Sequence, residues 1–289
     1  MSGTDARTAT VYTHRRPDET HQALELLRAA ARRAGWTLRL SPAETRKHGL
    51  TAAPELALDA DLDRDADLCV VLGGDGTILH ALRAYAGTHV PVFGINYGEV
   101  GFLATIDPDG IEAGIERALH GDFDVLELPG IEVEAGGGTW LAMNDVSLHR
   151  QHGLRVADLA IDVAGDEVGR VRCDGLVVAT PAGSTGYNLA NGGPVMAWGV
   201  EGLAVSFIAP HSLTARSLVV APQDSIRVRN RSREESVEVN ADGRPVCLLG
   251  PDEAVTACFR DSVATLAQTH GASFYHRLRE KFGRLASGV

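Results

Sequence analysis

Leu68-Cys69-Val70-Val71-Leu72-Gly73-Gly74-Asp75-Gly76-Thr77-Ile78-Leu79 sets a glycine turn between a strand and a helix. Five apolar residues without polar alternation predict a strand buried on both faces, and the spacing of Ile78, Leu79, Leu82 and Tyr85 predicts the helix that follows. In a parallel sheet covered by helices, such a turn lies at the carboxyl edge of the strands. Helix N-termini there offer unpaired N–H groups to anions, and glycines let backbone come close to phosphate. Asp75 stands among those donors. It would repel a bare phosphate, so accepting a proton or holding a metal ion suits it better. The plain alternative is a tight Gly-Asp-Gly turn that caps a helix.

Outward from this turn the chain keeps the same grammar. Ala9 to Thr13 reads as a strand, and Asp18 or Thr20 as the cap of a helix with Ala23, Leu24, Leu27, Ala30, Ala31 and Ala34 on one face, ending at Gly35. Trp36, Leu38 and Leu40 alternate as a short strand. Ser41 to Asp67 is acidic and weakly patterned, which predicts a mobile loop or a poor helix. Val90 to Ile95 is a further strand and Pro108 to His120 a further helix. Strands alternating with helices predict a parallel sheet.

From about Phe123 the texture becomes that of hairpins. Ile131, Val133 and Ala135 alternate, Gly136-Gly137-Gly138 turns, and Trp140 to Leu148 returns. Leu159 to Val163, Ala164-Gly165-Asp166 and Val168 to Arg172 repeat the pattern, as do Ile226 to Arg229 and Val237 to Leu249. The expected division is an α/β domain over 1–122, a β-rich domain over 123–269, and a helix within 270–289 that returns to the first domain. Phe274, Leu278, Phe282 and Leu285 mark one face of that helix.

At 289 residues with a net charge of −11 and a pI near 5.4, the composition argues against a nucleic-acid footprint or an anionic-membrane surface. Thr4 to Thr20 is too polar for a signal peptide, and no apolar run approaches the roughly 20 residues that cross a bilayer, so a cytoplasmic protein is expected. Cys69, Cys173, Cys247 and Cys258 are far apart, as core residues rather than zinc ligands or disulfides. Of the 27 basic residues only Lys47 and Lys281 are lysines, and neither follows a glycine-rich loop. The Walker lysine and the protein-kinase lysine are thus missing, and phosphate chemistry falls to backbone N–H groups, arginine, histidine or a metal ion.

Four further motifs admit two readings each. Gly94-Ile95-Asn96-Tyr97-Gly98-Glu99-Val100-Gly101-Phe102-Leu103 is a second glycine turn after a strand, either structural or part of one nucleotide cleft. Asn144-Asp145 interrupts an apolar alternation, as a strand end or as a pair that bonds an adenine edge and a ribose diol. The run Arg172 to Pro194 holds five glycines and brings Thr180, Ser184, Thr185, Tyr187 and Asn188 after a buried strand, more polar groups than a structural turn requires. Asn240-Ala241-Asp242-Gly243-Arg244 reads best as a plain hairpin turn.

In this order and spacing, Gly73 to Thr77, Gly94 to Leu103, Asn144-Asp145, Asp174 to Pro194 and Asn240 to Arg244 resemble the NAD kinase family over about residues 66 to 250. The glycine tetrad alone is shared with diacylglycerol, sphingosine and phosphofructokinase relatives; the later motifs narrow it. The resemblance implies an α/β N-terminal domain with a parallel sheet, a β-rich C-terminal domain, and phosphoryl transfer from ATP to the 2′-hydroxyl of the adenosine ribose of NAD. It implies a divalent cation, Mg²⁺ or Mn²⁺, and a homo-oligomer, dimer or tetramer. Asp75 matches the general base, beside a metal carried on the ATP phosphates. Gly73, Gly74, Gly76 and Thr77 match phosphate-proximal positions, with Gly76 and His80 also in reach of NAD. Asn144 and Asp145 match the adenosine pair. Arg172, Asp174, Ala182, Thr185, Gly186, Tyr187, Asn188, Leu189, Ala190 and Ala209 match the rest of the dinucleotide site, with Arg155 and Arg244 at further contact positions. Four positions depart from the family, which usually has glutamate at Asp145, threonine at Ala182, alanine at Gly186 and glutamine at Arg244. A lipid kinase of the same superfamily, or a non-catalytic NAD sensor, are the competing expectations.

Overall fold

The computed structural model describes residues 7–96, 101–106, 110–153 and 155–283. Tyr97 to Val100 of the second glycine turn, Pro108 and Leu285 lie outside the described residues. The chain divides into two compact units, one made of 1–127 with 264–289 and the other of 128–263.

The first unit begins with β1 (Thr8–Thr13), α1 (Pro17–Ala34), β2 (Thr37–Arg39), α2 (Pro42–His48), β3 (Leu56–Ala57), β4 (Leu68–Leu72), α3 (Asp75–Ala84), β5 (Pro91–Ile95) and α4 (Ile111–His120). All five residues of β4 are buried, which is what an unalternated apolar strand between two helical layers requires. β4 lies between β1 and β5, both parallel to it. The helix α1 starts one turn earlier than a cap at Asp18 or Thr20 would allow. Arg16 is its N-cap, without a side-chain bond, and Pro17 opens the helix with a preset φ. Asp18 and Glu19 instead sit in the first turn, facing the positive end of the dipole.

The stretch expected as a loop or poor helix contains ordered pieces. Ser41 Oγ accepts from Glu44 N, capping α2, and β3 adds a parallel edge strand beside β2. Their stabilising partners are distant in sequence. Glu44 accepts from the Thr13 backbone N–H at 3.2 Å and from Thr13 Oγ1 at 2.7 Å. Glu55, buried, pairs with Arg28 and Arg32 of α1 at 3.1 and 2.9 Å.

The second unit holds β6 (Asp124–Ala135, from Leu128 onward), β7 (Gly138–Ala142), β8 (Asp145–Arg150), β9 (Ala157–Val163), β10 (Asp166–Cys173), β11 (Gly175–Ala179), α5 (Tyr187–Ala190), β12 (Leu203–Ile208), β13 (Leu218–Val220), β14 (Ile226–Asn230), β15 (Val237–Ala241), β16 (Arg244–Leu249) and the start of β17 (Ala254–Gln268). One antiparallel sheet runs β13-β12-β11-β8-β15-β16; a second pairs β10-β9-β14-β17. Val146, Leu148, Val178, Val205 and Val239 of the first share one core with Leu159, Ile161, Val228 and Val255 of the second. The strand expected over Trp140 to Leu148 is in fact two. It breaks at Met143-Asn144, so that β7 pairs with β6 while β8 pairs with β11 and β15.

The last residues of β17 return to the first unit, where Thr265 and Leu266 pair in parallel with Pro91 and Val92. This completes a parallel order β17-β5-β4-β1-β2-β3. α6 (Phe274–Phe282) follows, and its Phe274 and Phe282 rings lie 6.0 and 5.7 Å from that of Phe102.

Candidate functional site

In the first unit the glycine turn opens α3 with Gly74 as N-cap and Asp75 as first helical residue. The amides of Asp75 and Gly76 head the helix, ahead of any i−4 carbonyl, while Thr77 N and Ile78 N return to Gly74 O. The Asp75 carboxylate is fixed by two backbone donors, Phe102 N at 2.8 Å and Leu103 N at 3.1 Å. A Cβ on Gly101 would overlap that carboxylate, so the close approach requires glycine there. The two glycine turns are thereby brought together.

Asp75, Gly74, Gly76, Thr77 and His80 line a cleft of about 570 Å³. Its other wall is the corner after β1, with Thr13, His14, Arg15, Arg16 and Glu19, and Lys47 from α2. The sequence reading missed this wall, because the corner carries no motif. Arg16 pairs with Glu19 at 2.6 Å, whereas Arg15 is exposed at the cleft. Lys47, far from any glycine loop in sequence, donates to Thr13 O and His14 O at 2.9 and 3.3 Å and to Glu44 at 2.8 Å. It braces the corner instead of acting as a Walker lysine. The His80 ring stands edge-on to Tyr12 at 5.2 Å.

In the second unit, Asn144 sits at the break between β7 and β8 and Asp145 opens β8. Alternation along β8 sends Val146 and Leu148 into the core and Asp145, Ser147 and His149 to the opposite face. Asp145 is only 8% exposed and approaches Asp242, so burial first and the neighbouring carboxylate second push its pKa up to about 7. The loop after β11 closes on the same place. Thr180, wholly buried, donates through Oγ1 to Met143 O at 2.8 Å and through N to Asn144 O at 2.9 Å. Gly183 rests against the Asn144 backbone so closely that a Cβ would overlap its carbonyl.

Within that loop the expected residues divide by orientation. Tyr187 is exposed and stacks on His149, ring centroids 5.6 Å apart and planes 19° apart. Ala182 is buried, and Thr185 Oγ1 donates back to Ala182 O. Asn188 is fully buried and spends its amide nitrogen on Ser184 O and Pro194 O, which makes it a brace of the loop. Gly186 has φ −96°, outside the left-handed region, and Leu189 and Ala190 complete α5 beside it. At the other end of β11, Asp174 donates its N–H to Ile208 O next to Ala209, accepts from Arg150 Nε at 2.5 Å, and follows Arg172, whose carbonyl accepts from His211 N. Arg155 is exposed before β9, and Arg244 opens β16. Asn144, Asp145 and Ala182 thus gather at one end of β11, with Arg172, Asp174 and Ala209 at its other end, where the Tyr187 ring lies on His149, the partner of Gly175.

Two family models match most of the chain: the ATP-NAD kinase N-terminal domain over residues 15–123 and the ATP-NAD kinase C-terminal domain over 143–266. The chain belongs to the NAD kinase family. An NAD kinase of Acinetobacter baylyi is 36% identical over 222 residues, covering 75% of this chain and 72% of that protein. One of Gemmatimonas aurantiaca is 33% identical over 227 residues, covering 76% and 78%. An NAD kinase from Archaeoglobus fulgidus, solved in complex with ATP, superposes with a TM-score of 0.73 at 28% identity, over 96% of this chain and 97% of that one. Yeast NADH kinase complexed with NADH shares the fold, with a TM-score of 0.85 at 22% identity over 99% and 90%. The α/β unit with its parallel sheet and the antiparallel β unit are those of the family.

Proposed function

We propose that this NAD kinase family member transfers the terminal phosphoryl group of ATP to the 2′-hydroxyl of the adenosine ribose of NAD, giving NADP. The observation that carries the reading is the Asp75 carboxylate. It opens α3 and is held in place by the Phe102 and Leu103 amides of the second glycine turn, in a cleft that also presents Arg15. Phosphoryl transfer asks a protein mainly for positioning and charge stabilisation. Here the amides at the start of α3 and the Arg15 guanidinium meet phosphate oxygens, and Asp75 accepts the proton of the attacking hydroxyl, a contribution of about 10²- to 10⁴-fold in general-base catalysis. Asn144 and Asp145 receive adenine edge and ribose diol, and the exposed Tyr187 ring offers a stacking face.

A divalent cation belongs to the same reading. An ion carried on the ATP phosphates would stand beside the Asp75 carboxylate, a hard oxygen donor held at the cleft; among the described residues no group of three or more His, Cys, Asp or Glu could hold a metal ion. Such an ion would neutralise charge on the transferring phosphoryl group. A homo-oligomer and a cytoplasmic location complete the proposal; no helix among the described residues is long and apolar enough to cross a membrane.

Incubating the protein with NAD, ATP and Mg²⁺ and assaying NADP tests the activity. Phosphorylation of a lipid alcohol in place of NAD would assign the lipid-kinase reading, and NAD binding without NADP would assign a sensor.

A further inference from the structure

The break between β7 and β8 exposes backbone groups that no sheet partner covers in full, and two residues take them up. The Asp242 carboxylate accepts from Met143 N at 2.9 Å, Asn144 N at 2.7 Å and Asp145 N at 3.2 Å. The Asp242 N–H donates to Asp145 O at 2.8 Å. Thr180 supplies the rest, with Oγ1 to Met143 O and N to Asn144 O. All six backbone donors and acceptors of Met143, Asn144 and Asp145 therefore have a partner on Asp242 or Thr180. Asp242 can do this because it occupies the tight turn between β15 and β16, where Asp242 and Gly243 have φ of 47° and 70°. That conformation suits an Asp-Gly pair.

We propose that Asp242 is a positioning residue for dinucleotide recognition: through three backbone amides it aims the Asn144 and Asp145 side chains at the adenosine, without itself touching the ligand. This rests on Asn144 and Asp145 being the adenosine pair. A hairpin turn needs no carboxylate reaching across to a neighbouring strand break, and a partly buried carboxylate is held best where several donors meet it. Asp242 has such donors; Asp145, one residue further along the break, is the carboxylate left beside it. Among the described residues, the charged and titratable groups that face Asp145 are Asp242 from the β15–β16 turn and Tyr187 from α5; His149, further along β8, stacks on Tyr187 and faces Glu238 of β15. Holding Asn144 and Asp145 in place thus also sets a negative charge next to the carboxylate that meets the ribose, and NAD recognition becomes sensitive to pH near neutrality.

The test is steady-state kinetics of Asp242→Asn and Asp242→Glu against the parent from pH 5.5 to 8.5, with melting temperatures alongside. Asp242→Asn turns one acceptor oxygen into an NH₂ group facing a backbone N–H. The expected result is a KM for NAD raised roughly 10-fold, with kcat and the KM for ATP little changed. The pH midpoint of kcat/KM for NAD should fall by about one unit as the charge beside Asp145 is removed. Asp242→Glu keeps the charge but displaces it, so KM for NAD should rise while the midpoint stays. A folded Asp242→Asn with parental KM for NAD and an unmoved midpoint would leave Asp242 as a hairpin staple and overturn the proposal. If that variant does not fold, an unchanged KM for NAD in Asp242→Glu overturns it equally. Asn144→Ala separates the two levels. If it leaves NAD binding intact, the adenosine-pair reading and this proposal both fall. If it weakens NAD binding while the Asp242 variants do not, only the proposal falls.

Discussion

Asp75 and Asp145 are both carboxylates in polar motifs, yet their surroundings prepare them for different work. Asp75 meets two amides, Phe102 N and Leu103 N, which fix its orientation. Asp75→Asn keeps the side chain's shape but turns one of its two acceptor oxygens into an NH₂ facing a backbone N–H and cannot accept a proton, so kcat should fall by roughly 10²-fold or more with the dissociation constant for NAD within a few-fold; near-normal turnover of the purified variant would remove Asp75 from the base role. Asp145 is buried beside Asp242, and its pKa is raised to about 7. A carboxyl whose pKa is raised on folding favours the folded state fully below its unfolded pKa and loses that advantage as pH climbs through the folded value. The ligand-free protein should therefore lose stability between about pH 4 and pH 7 on this account. Asp145→Asn should abolish that loss, matching the parent near pH 4 and exceeding it at pH 8 by about 1–3 kcal/mol in urea unfolding, while NAD binding weakens. Equal stability of the two proteins at pH 8 would contradict this. The departure from the family's glutamate at this position is thus a shorter carboxylate in a dry place. Asn188 carries the opposite lesson: it lies in the richest polar stretch, and only burial reveals that its side chain serves the loop.

Among the elements, α2 shows how a weakly patterned segment acquires a role. Seven residues cannot hold a helix in water on propensity alone. Ser41 caps it, and Glu44, Lys47 and His48 bind it to the end of β1, His48 through Nε2 to Thr13 Oγ1 at 2.7 Å. Those bonds hold the corner that carries Arg15. In Lys47→Met the Glu44 carboxylate loses its cation and two carbonyls lose a donor, a cost of about 1–3 kcal/mol. The expected outcome is a lower melting temperature and a KM for ATP raised several-fold, with the KM for NAD unchanged; a parental KM for ATP would show that the corner does not bear on the donor. The strand break at Met143-Asn144 is the counterpart in the β unit. Both features depend on partners distant in sequence, Thr13 with α2 and Asp242 with the break; the local signals, Ser41-Pro42 at the start of α2 and the polar pair Asn144-Asp145, mark the positions without showing those partners.

For the molecule as a whole, the first unit is completed only when the chain comes back to it. Leu266 and Ala267 are fully buried, Thr265 and Leu266 pair with β5, and Thr105 Oγ1 donates to Ala267 O at 2.7 Å. Burial of Leu266 alone contributes about 1.5–3 kcal/mol, against a total stability on the order of 5–15 kcal/mol. A chain ended at residue 263 should consequently lose cooperative unfolding of its α/β unit, read by circular dichroism during thermal denaturation, and full cooperativity in that truncation would show the return to be dispensable. Local pattern sufficed for the parallel sheet around β4, for the hairpins and for the glycine turn that opens α3, because strand and helix periods and turn chemistry are written within a few residues of one another. The motifs in their order sufficed for the family. The start of α1 at Pro17, the cleft wall from Thr13 to Glu19, the split of Trp140 to Leu148 into two strands, and the clasp of Asp242 on Asn144 and Asp145 came only with the tertiary structure. Each depends on which distant backbone groups need a partner once the chain has been withdrawn from water.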